Sequence, residues 1–171
     1  MGFAEATLFF IVPDVALTFI ALLKGRHAAL RAACFATGGA LVGATVMFVW
    51  SLRDPKGAVA LLGQIPAIGP HQIANVAEHL ARLGAFALPL GGVSGVPFKI
   101  YPVMAAQTGL SLAVLVAVAL PARLARFAAS VLFASMVNRR LLSWLGLRQR
   151  VLILAGFWIL LYAVYWWLEW Q

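Results

Sequence analysis

Four ionisable side chains stand in otherwise apolar stretches of this sequence: Asp14, Lys99, Arg123 and Arg126. At membrane depth such a residue costs ~2.5–3.5 kcal/mol on insertion scales, so it is a candidate functional residue by default. The two arginines are three positions apart, which puts them on one helix face. Two guanidinium groups so placed can clamp a phosphate, which makes these four residues the candidate substrate-binding site.

Each candidate also has a purely structural interpretation. Asp14 follows Pro13 and can cap a helix by accepting hydrogen bonds from free backbone N–H groups. Lys99 can extend its ammonium group to the lipid headgroups. The arginine pair follows Pro121 and can anchor a helix at the membrane interface. The residue types alone leave both interpretations open.

Other chemistries find little support in the sequence. The three histidines are scattered over predicted loops and surface helices, and we expect no metal site. Ser94 has no evident His or Asp partner for a hydrolytic triad, and no glycine-rich nucleotide-binding pattern precedes a helix. Cys34 is the single cysteine, which excludes an intramolecular disulfide. We therefore expect no cofactor and no enzymatic activity.

The composition identifies the environment that must hold these residues. The 171-residue chain is 64% hydrophobic and 11% charged, whereas soluble domains carry ~25% charged residues. Such a chain cannot cover itself with a water-compatible surface, so it is predicted to be an all-α integral membrane protein. The net charge of +8 comes mostly from residues at the ends of apolar runs. Membrane orientation and anionic lipids explain that placement better than nucleic acid does.

Two uncharged runs are long enough to cross a bilayer, which takes ~20 residues. They are residues 32–50 and residues 151–168, the second ending in an aromatic belt. Basic clusters at residues 24–31 and 139–150 should face the cytoplasm. Residues 1–23 lack a basic n-region, so no cleavable signal is expected.

Two further apolar segments are broken by helix-disrupting residues. The first, near residues 3–23, contains Pro13; the second, near residues 83–98, contains Pro97 and several glycines. Irregular backbone at membrane depth is tolerated only when it packs in protein or lines a wet cavity. We predict two re-entrant helical hairpins, the second turning near residues 91–95. A kinked full span is the alternative for the first.

The remaining segments are less regular. Residues 51–75 are mixed in composition and predict a surface loop with a short amphipathic helix, and residues 76–90 have a helical period. Residues 100–122 are interrupted by two prolines, the second of them Pro121. The arginine pair should then open a helix that ends near Val137.

Small residues in the predicted span at residues 32–50 favour close helix packing. Gly39 and Gly43 form a small-xxx-small pattern that lets another helix backbone approach. The same surface would serve contacts inside the fold, so the pattern need not mark a dimer.

A weak internal repeat relates the two broken segments at an offset of 84 positions. It pairs Pro13 with Pro97 and Gly25 with Gly109, together with a valine and an alanine in each copy. Paired, proline-interrupted apolar segments are typical of transporter sites at a repeat interface. In this register Asp14 lies one position from the equivalent of Lys99.

Two motifs resemble a known family. The segment Ser94-Gly-Val-Pro97-Phe-Lys99-Ile-Tyr101, followed by Arg123-Leu-Ala-Arg126-Phe127, resembles the YqaA-like branch of the DedA/SNARE-associated (VTT-domain) membrane proteins. Glu5, the segment from Val12 to Leu17 and the glycines from Gly38 to Gly43 are similar to that branch as well. The resemblance covers roughly residues 5–147.

This resemblance implies two opposed re-entrant hairpins in a small transmembrane helix bundle. A DedA/VTT-like membrane domain would span residues 1–147, with an additional C-terminal transmembrane helix at residues 151–168. Members of the broader superfamily are linked to moving phospholipids or polyprenyl phosphates across bilayers. We therefore expect a multi-pass protein of the bacterial inner membrane that moves or binds a phosphate-bearing lipid.

In this interpretation Asp14 is a proton-responsive or gating acid, and the three basic residues bind the lipid phosphate. Expected partners are membrane lipids, such as an anionic phospholipid or a polyprenyl phosphate, and no nucleic acid; a homo-oligomer or a larger membrane complex stays open. The alternative is a structural or accessory subunit that packs against a larger membrane complex.

The repeat predicts that Asp14 and Lys99 form a buried ion pair. We expect Asp14→Asn/Lys99→Met to be more stable than Lys99→Met alone, because an uncompensated buried charge costs ~3–5 kcal/mol. Thermal unfolding in detergent measures the difference. The ion pair would be contradicted if the double variant lost as much stability as the sum of the losses in Asp14→Asn and Lys99→Met.

Overall fold

The computed structural model describes residues 13–65, 68–140 and 142–169. Each regular element in these ranges is a helix. In chain order the α-helices are α1 (Pro13–Lys24), α2 (Arg26–Arg53), α3 (Pro55–Gln64), α4 (Pro70–Leu83), α5 (Ala87–Ser94), α6 (Ile100–Gln107), α7 (Leu112–Arg140) and α8 (Leu147–Glu169). A short 3-10 helix, Gly84–Phe86, precedes α5. The all-α prediction is confirmed for this part of the chain.

Three of the described helices are long and apolar enough to cross a membrane: α2, α7 and, over Leu147–Val164, α8. At 1.5 Å per residue, the 28 residues of α2 extend about 42 Å, which exceeds the ~30 Å of bilayer hydrocarbon. The predicted spans at residues 32–50 and 151–168 lie within α2 and α8. Both helices extend beyond the apolar runs into the flanking charged residues.

The prediction of an interruption at Pro121 is wrong. Pro121 lies inside α7, which continues without a break from Leu112 to Arg140. A proline removes one backbone donor, but in apolar surroundings the remaining helical hydrogen bonds are worth keeping. Arg123 therefore lies in the middle of a 29-residue helix rather than at its start. The break falls earlier, at Gly109, where φ is +76°.

The chain forms two compact units, and the described residues of the first are Pro13 and those of the range Cys34–Arg126. Its core is apolar and includes Met47 of α2, Leu62 of α3, Val76 of α4 and Tyr101 of α6. Helix α4 packs against α5 and α6. A buried hydroxyl also joins α2 to α6, since Ser51 Oγ donates to the Val103 carbonyl at 2.9 Å.

Residues 51–75, predicted as a surface loop with a short amphipathic helix, contain all of one helix and the start of another. Asp54 caps α3, since the Gly57 backbone N–H donates to Asp54 Oδ1 at 2.9 Å, and Pro55 fills the first turn. Helix α4 then begins at Pro70 and is amphipathic, with Ile73, Val76 and Leu80 buried. The segment is more helical than predicted because its prolines, Pro55 and Pro70, begin helices rather than break them.

The second broken segment is more helical than predicted, because the 3-10 helix and α5 together cover residues 84–94 in spite of Pro89 and the glycines. Helix α5 ends at Ser94, and Gly95 takes a left-handed conformation with φ +82°. The chain then turns into α6. Whether this turn is re-entrant in a membrane stays a prediction. The first predicted hairpin, near residues 3–23, lies partly outside the described residues, and its described part from Pro13 is α1.

The second unit comprises Asp14–Ala33 and Phe127–Gln171. It contains α8, most of α1, the start of α2 and the end of α7. The indole Nε1–H of Trp158 on α8 donates to Thr18 Oγ1 on α1 at 3.0 Å. The helix at the C-terminal end is therefore tied to the first described helix by a polar contact.

Two glycines with a left-handed backbone recur at the offset of 84 positions found in the sequence. Gly25 follows α1 with φ +84°, and its counterpart Gly109 follows α6 with φ +76°. Each glycine precedes a long apolar helix, α2 in one case and α7 in the other. The recurring glycines thus mark equivalent helix ends, where a left-handed residue is required.

Gly91 provides a test of the α5–α6 packing. A methyl group at Gly91 would overlap the phenol ring of Tyr101, whereas one at Gly92 would meet no atom within 4 Å. We expect Gly91→Ala to destabilise the protein by ~1–3 kcal/mol through overpacking. Gly92→Ala, the matched control, should be neutral or stabilising by up to ~1 kcal/mol, because alanine favours the helix.

Thermal unfolding in detergent compares the two variants. Adding Tyr101→Phe to Gly91→Ala removes the nearest atom of the clash and should recover part of the loss. Equal midpoints for the two glycine variants would show that Tyr101 does not pack on α5 as described.

Candidate functional site

Asp14 is a buried carboxylate in the first turn of α1. Its side chain is 4% exposed. Ser130 Oγ on α7 donates to Asp14 Oδ1 at 2.7 Å, and both residues belong to the second unit. A short hydrogen bond to an ionisable oxygen is among the stronger single contacts in a protein. Asp14 is therefore held by a side chain 116 positions away in sequence.

A second polar group lies one turn further along α1. Thr18 Oγ1 donates to the Val15 carbonyl at 2.8 Å and accepts from Trp158 of α8 at 3.0 Å. Asp14 and Thr18 are four residues apart, so they share one face of α1. That face directs its polar atoms toward α7 and α8 within the second unit.

Lys99 and Arg123 are the buried cations of the first unit. Lys99 is 2% exposed, and the residues that follow it, Ile100 and Tyr101, are buried as well. Arg123 is 5% exposed, and its guanidinium carbon lies 4.3 Å from the centroid of the Phe98 ring. This cation–π contact places the guanidinium group of Arg123, from α7, against the turn that carries Phe98 and Lys99.

Such a turn can recognise an anion. An ammonium and a guanidinium group supply positive charge and several N–H donors, and apolar surroundings strengthen their electrostatic attraction. Phosphate oxygens match a guanidinium group in geometry. The structure therefore brings two of the four predicted residues to one region of the first unit.

The other predicted residues are placed differently. Arg126, three positions after Arg123, is exposed. Asp14 belongs to the second unit, whereas Lys99 belongs to the first, and the proposed Asp14–Lys99 pair stays a prediction. Of the predicted turn and packing residues, Pro13 and Gly43 are buried, and Pro97 and Gly39 are half-buried.

Sequence reasoning missed the residues that hold the candidates in place. These residues do not stand out in the sequence. Thr18 and Ser130 are hydroxyl residues in apolar helices, and Trp158 is one of several tryptophans near the C-terminus. A polar hydroxyl inside an apolar helix was the available signal, since such groups often hydrogen-bond across helices in membranes. Phe98 belongs to the Ser94–Tyr101 motif, but its contact with Arg123 was not predicted.

The part of the chain that the structure describes contains no group of three or more His, Cys, Asp or Glu residues able to hold a metal ion. Comparison of the chain with protein-family models, curated proteins and solved structures gives no match. Function must therefore be argued from the buried charges themselves.

Substitutions of two serines on α7 test the hydrogen bond between Ser130 and Asp14. We expect Ser130→Ala to lower the stability by ~1.5–3 kcal/mol, the usual value of a hydrogen bond to a charged group. Ser135→Ala is the matched control, because the buried Ser135 hydroxyl has no hydrogen-bond partner among the described residues. Removing that hydroxyl should be neutral or stabilising. Thermal unfolding in detergent compares the two variants. A larger loss of stability in Ser135→Ala than in Ser130→Ala would contradict the hydrogen bond between Ser130 and Asp14.

Proposed function

We propose that this protein binds a phosphate-bearing membrane lipid and moves it across the bilayer, as a relative of the DedA/SNARE-associated proteins. The observation that carries the proposal is the burial of Lys99, on the turn before α6, and of Arg123 of α7, whose guanidinium group stacks on Phe98 of that turn. Buried cations in apolar surroundings attract an anion strongly, because the low dielectric screens their charge little. A lipid phosphate has the matching charge and geometry and is present at both faces of a membrane.

The charge balance of the chain supports an anionic substrate. The sequence has 13 lysines and arginines but only five acidic residues. Protein carboxylates therefore cannot match every cation. Lipid phosphates are the abundant anions around a membrane protein, and arginine binds them with two parallel N–H···O bonds.

Asp14 is proposed to gate the site. A carboxylate and a phosphate compete for the same cations, so Asp14 pairs with Lys99 when the site is empty and is displaced when lipid binds. Protonation of a carboxyl group removes its charge and releases such a partner. The proposed coupling to protons rests on this competition.

The proposal includes the topology that translocation requires. The broken segments around α1 and α5–α6 are proposed to be opposed re-entrant hairpins in a multi-pass protein of the bacterial inner membrane. Irregular backbone lining a polar cavity would let a headgroup cross without entering hydrocarbon.

An accessory subunit is the second candidate. Helix α8 exposes large apolar side chains, including Leu152, Ile159 and Leu160, and its candidate span is not buried within this chain. A neighbouring membrane protein could cover that surface as well as lipid. Purification in mild detergent distinguishes the two, because an accessory subunit retains a stoichiometric partner.

Reconstituted vesicles test translocation directly. We expect wild-type protein to expose a fluorescent phospholipid from the inner leaflet to an external quencher faster than protein-free vesicles do. Lys99→Met and Arg123→Met should each slow this exposure by about tenfold or more, since charge-assisted hydrogen bonds contribute ~1.5–3 kcal/mol each.

The matched controls are Lys56→Met and Arg82→Met, which replace exposed residues of α3 and α4. These variants should move lipid at the wild-type rate. Folding is checked by the unfolding midpoint of every variant. Equal rates for wild type and well-folded Lys99→Met/Arg123→Met protein would refute the proposal.

A further inference from the structure

A second site lies in the other unit, apart from the phosphate site proposed above. A cavity of about 470 Å³ is formed by α1, α7 and α8. All its lining residues belong to the second unit. The volume falls within the ~300–1,000 Å³ that is typical of small-molecule sites.

The cavity is elongated along α7 and is lined mostly by apolar side chains. Its α7 wall runs from Ser130 to Asn138, which is eight residues or about 12 Å. Between these ends the walls are side chains such as Phe133, Leu154 and Phe157. Apolar cavities do not hold ordered water, because water needs several polar partners. The shape and chemistry fit an alkyl chain.

One end of the cavity is marked by a fixed arginine. Arg150 lines the cavity, and its Nη1 donates to Asn138 Oδ1 at 3.2 Å. Its Nε donates to the Leu145 carbonyl at 2.9 Å, and Nη2 donates to the Ser143 carbonyl at 2.8 Å. These bonds fix the guanidinium group and the α7–α8 connection together.

The same end carries more positive charge. Arg139, Arg140 and Arg148 are exposed on either side of this connection. The sequence has no acidic residue between positions 127 and 168 to offset them. Basic residues next to a membrane span attract anionic lipid headgroups.

We propose that this cavity binds one acyl chain of an anionic phospholipid, with its headgroup at the arginines of the α7–α8 connection. The apolar walls take the chain, and the exposed arginines Arg139, Arg140 and Arg148 select the charge of the headgroup. Because α8 is exposed along its candidate span, a lipid can enter sideways from the bilayer. This binding requires no translocation, so the proposal can be confirmed or refuted independently of the proposed function.

Photocrosslinking tests the site. The protein is reconstituted in phosphatidylcholine vesicles that contain a trace of phosphatidylglycerol with a diazirine on its acyl chain. We expect crosslinks to map to α7 and α8 residues that line the cavity. A phosphatidylcholine probe with the same diazirine should label these residues more weakly. Arg139→Gln and Arg140→Gln should each lower the ratio of phosphatidylglycerol labelling to phosphatidylcholine labelling about fivefold.

Filling the cavity should displace the chain. Leu161→Trp and Ala134→Phe enlarge side chains that line it, and we expect labelling to fall by about fourfold per displaced methylene. Leu160→Trp and Ala129→Phe are the controls, since both residues are exposed and neither lines the cavity. Leu161 is itself 42% exposed, so its variant should fold normally.

Three results would overturn the proposal. Unchanged labelling in Leu161→Trp would place the lipid elsewhere. Equal labelling by the two headgroups would remove the anionic selectivity. Crosslinks from cavity residues to a second copy of the chain, or to another protein, would show that a protein covers the cavity.

Discussion

In the hydrocarbon core of a membrane no water is present to hydrogen-bond the backbone, and each unsatisfied polar group costs several kcal/mol. A chain that is 64% hydrophobic must meet this constraint within its own segments. Helices do so without a neighbouring strand. This explains why α7 continues past Pro121, since ending the helix there would leave more groups unsatisfied than the proline does.

The same scarcity of polar partners governs the side chains. Asp14 is held by Ser130, and Thr18 links its own helix to Trp158. Each contact joins helices that are far apart in sequence, and each matches a donor with an acceptor. In apolar surroundings such matches fix which helix faces can meet, because a mismatched face would bury an unsatisfied group. Polar residues therefore specify the packing that apolar residues alone would leave undetermined.

The apolar runs made α2 and α8 predictable, because charged residues bound them on both sides. The sequence predicted a short amphipathic helix within residues 51–75 and a helical period over residues 76–90, but not the start of α3, although the Asp54-Pro55 pair is typical of a helix start. The burial of Lys99 and Arg123 followed from their apolar neighbours, yet the exposure of Arg126 did not. Successive helical residues rotate by 100°, so the burial of Phe127 beside Arg123 leaves Arg126 at the edge of the buried face.

Arginine has two different environments in this chain, and sequence neighbours alone do not separate them. Arg123 is buried against an aromatic ring, whereas Arg139, Arg140 and Arg148 are exposed near a helix connection. A buried guanidinium group can select a ligand by geometry, because its donors are held in place and water is excluded. An exposed cluster acts through its summed charge, which attracts anionic lipid over a distance that salt shortens. The two proposals use these environments differently, since the surface cluster is proposed to attract anionic lipid by its summed charge and the buried Arg123 to recognise a phosphate by its geometry.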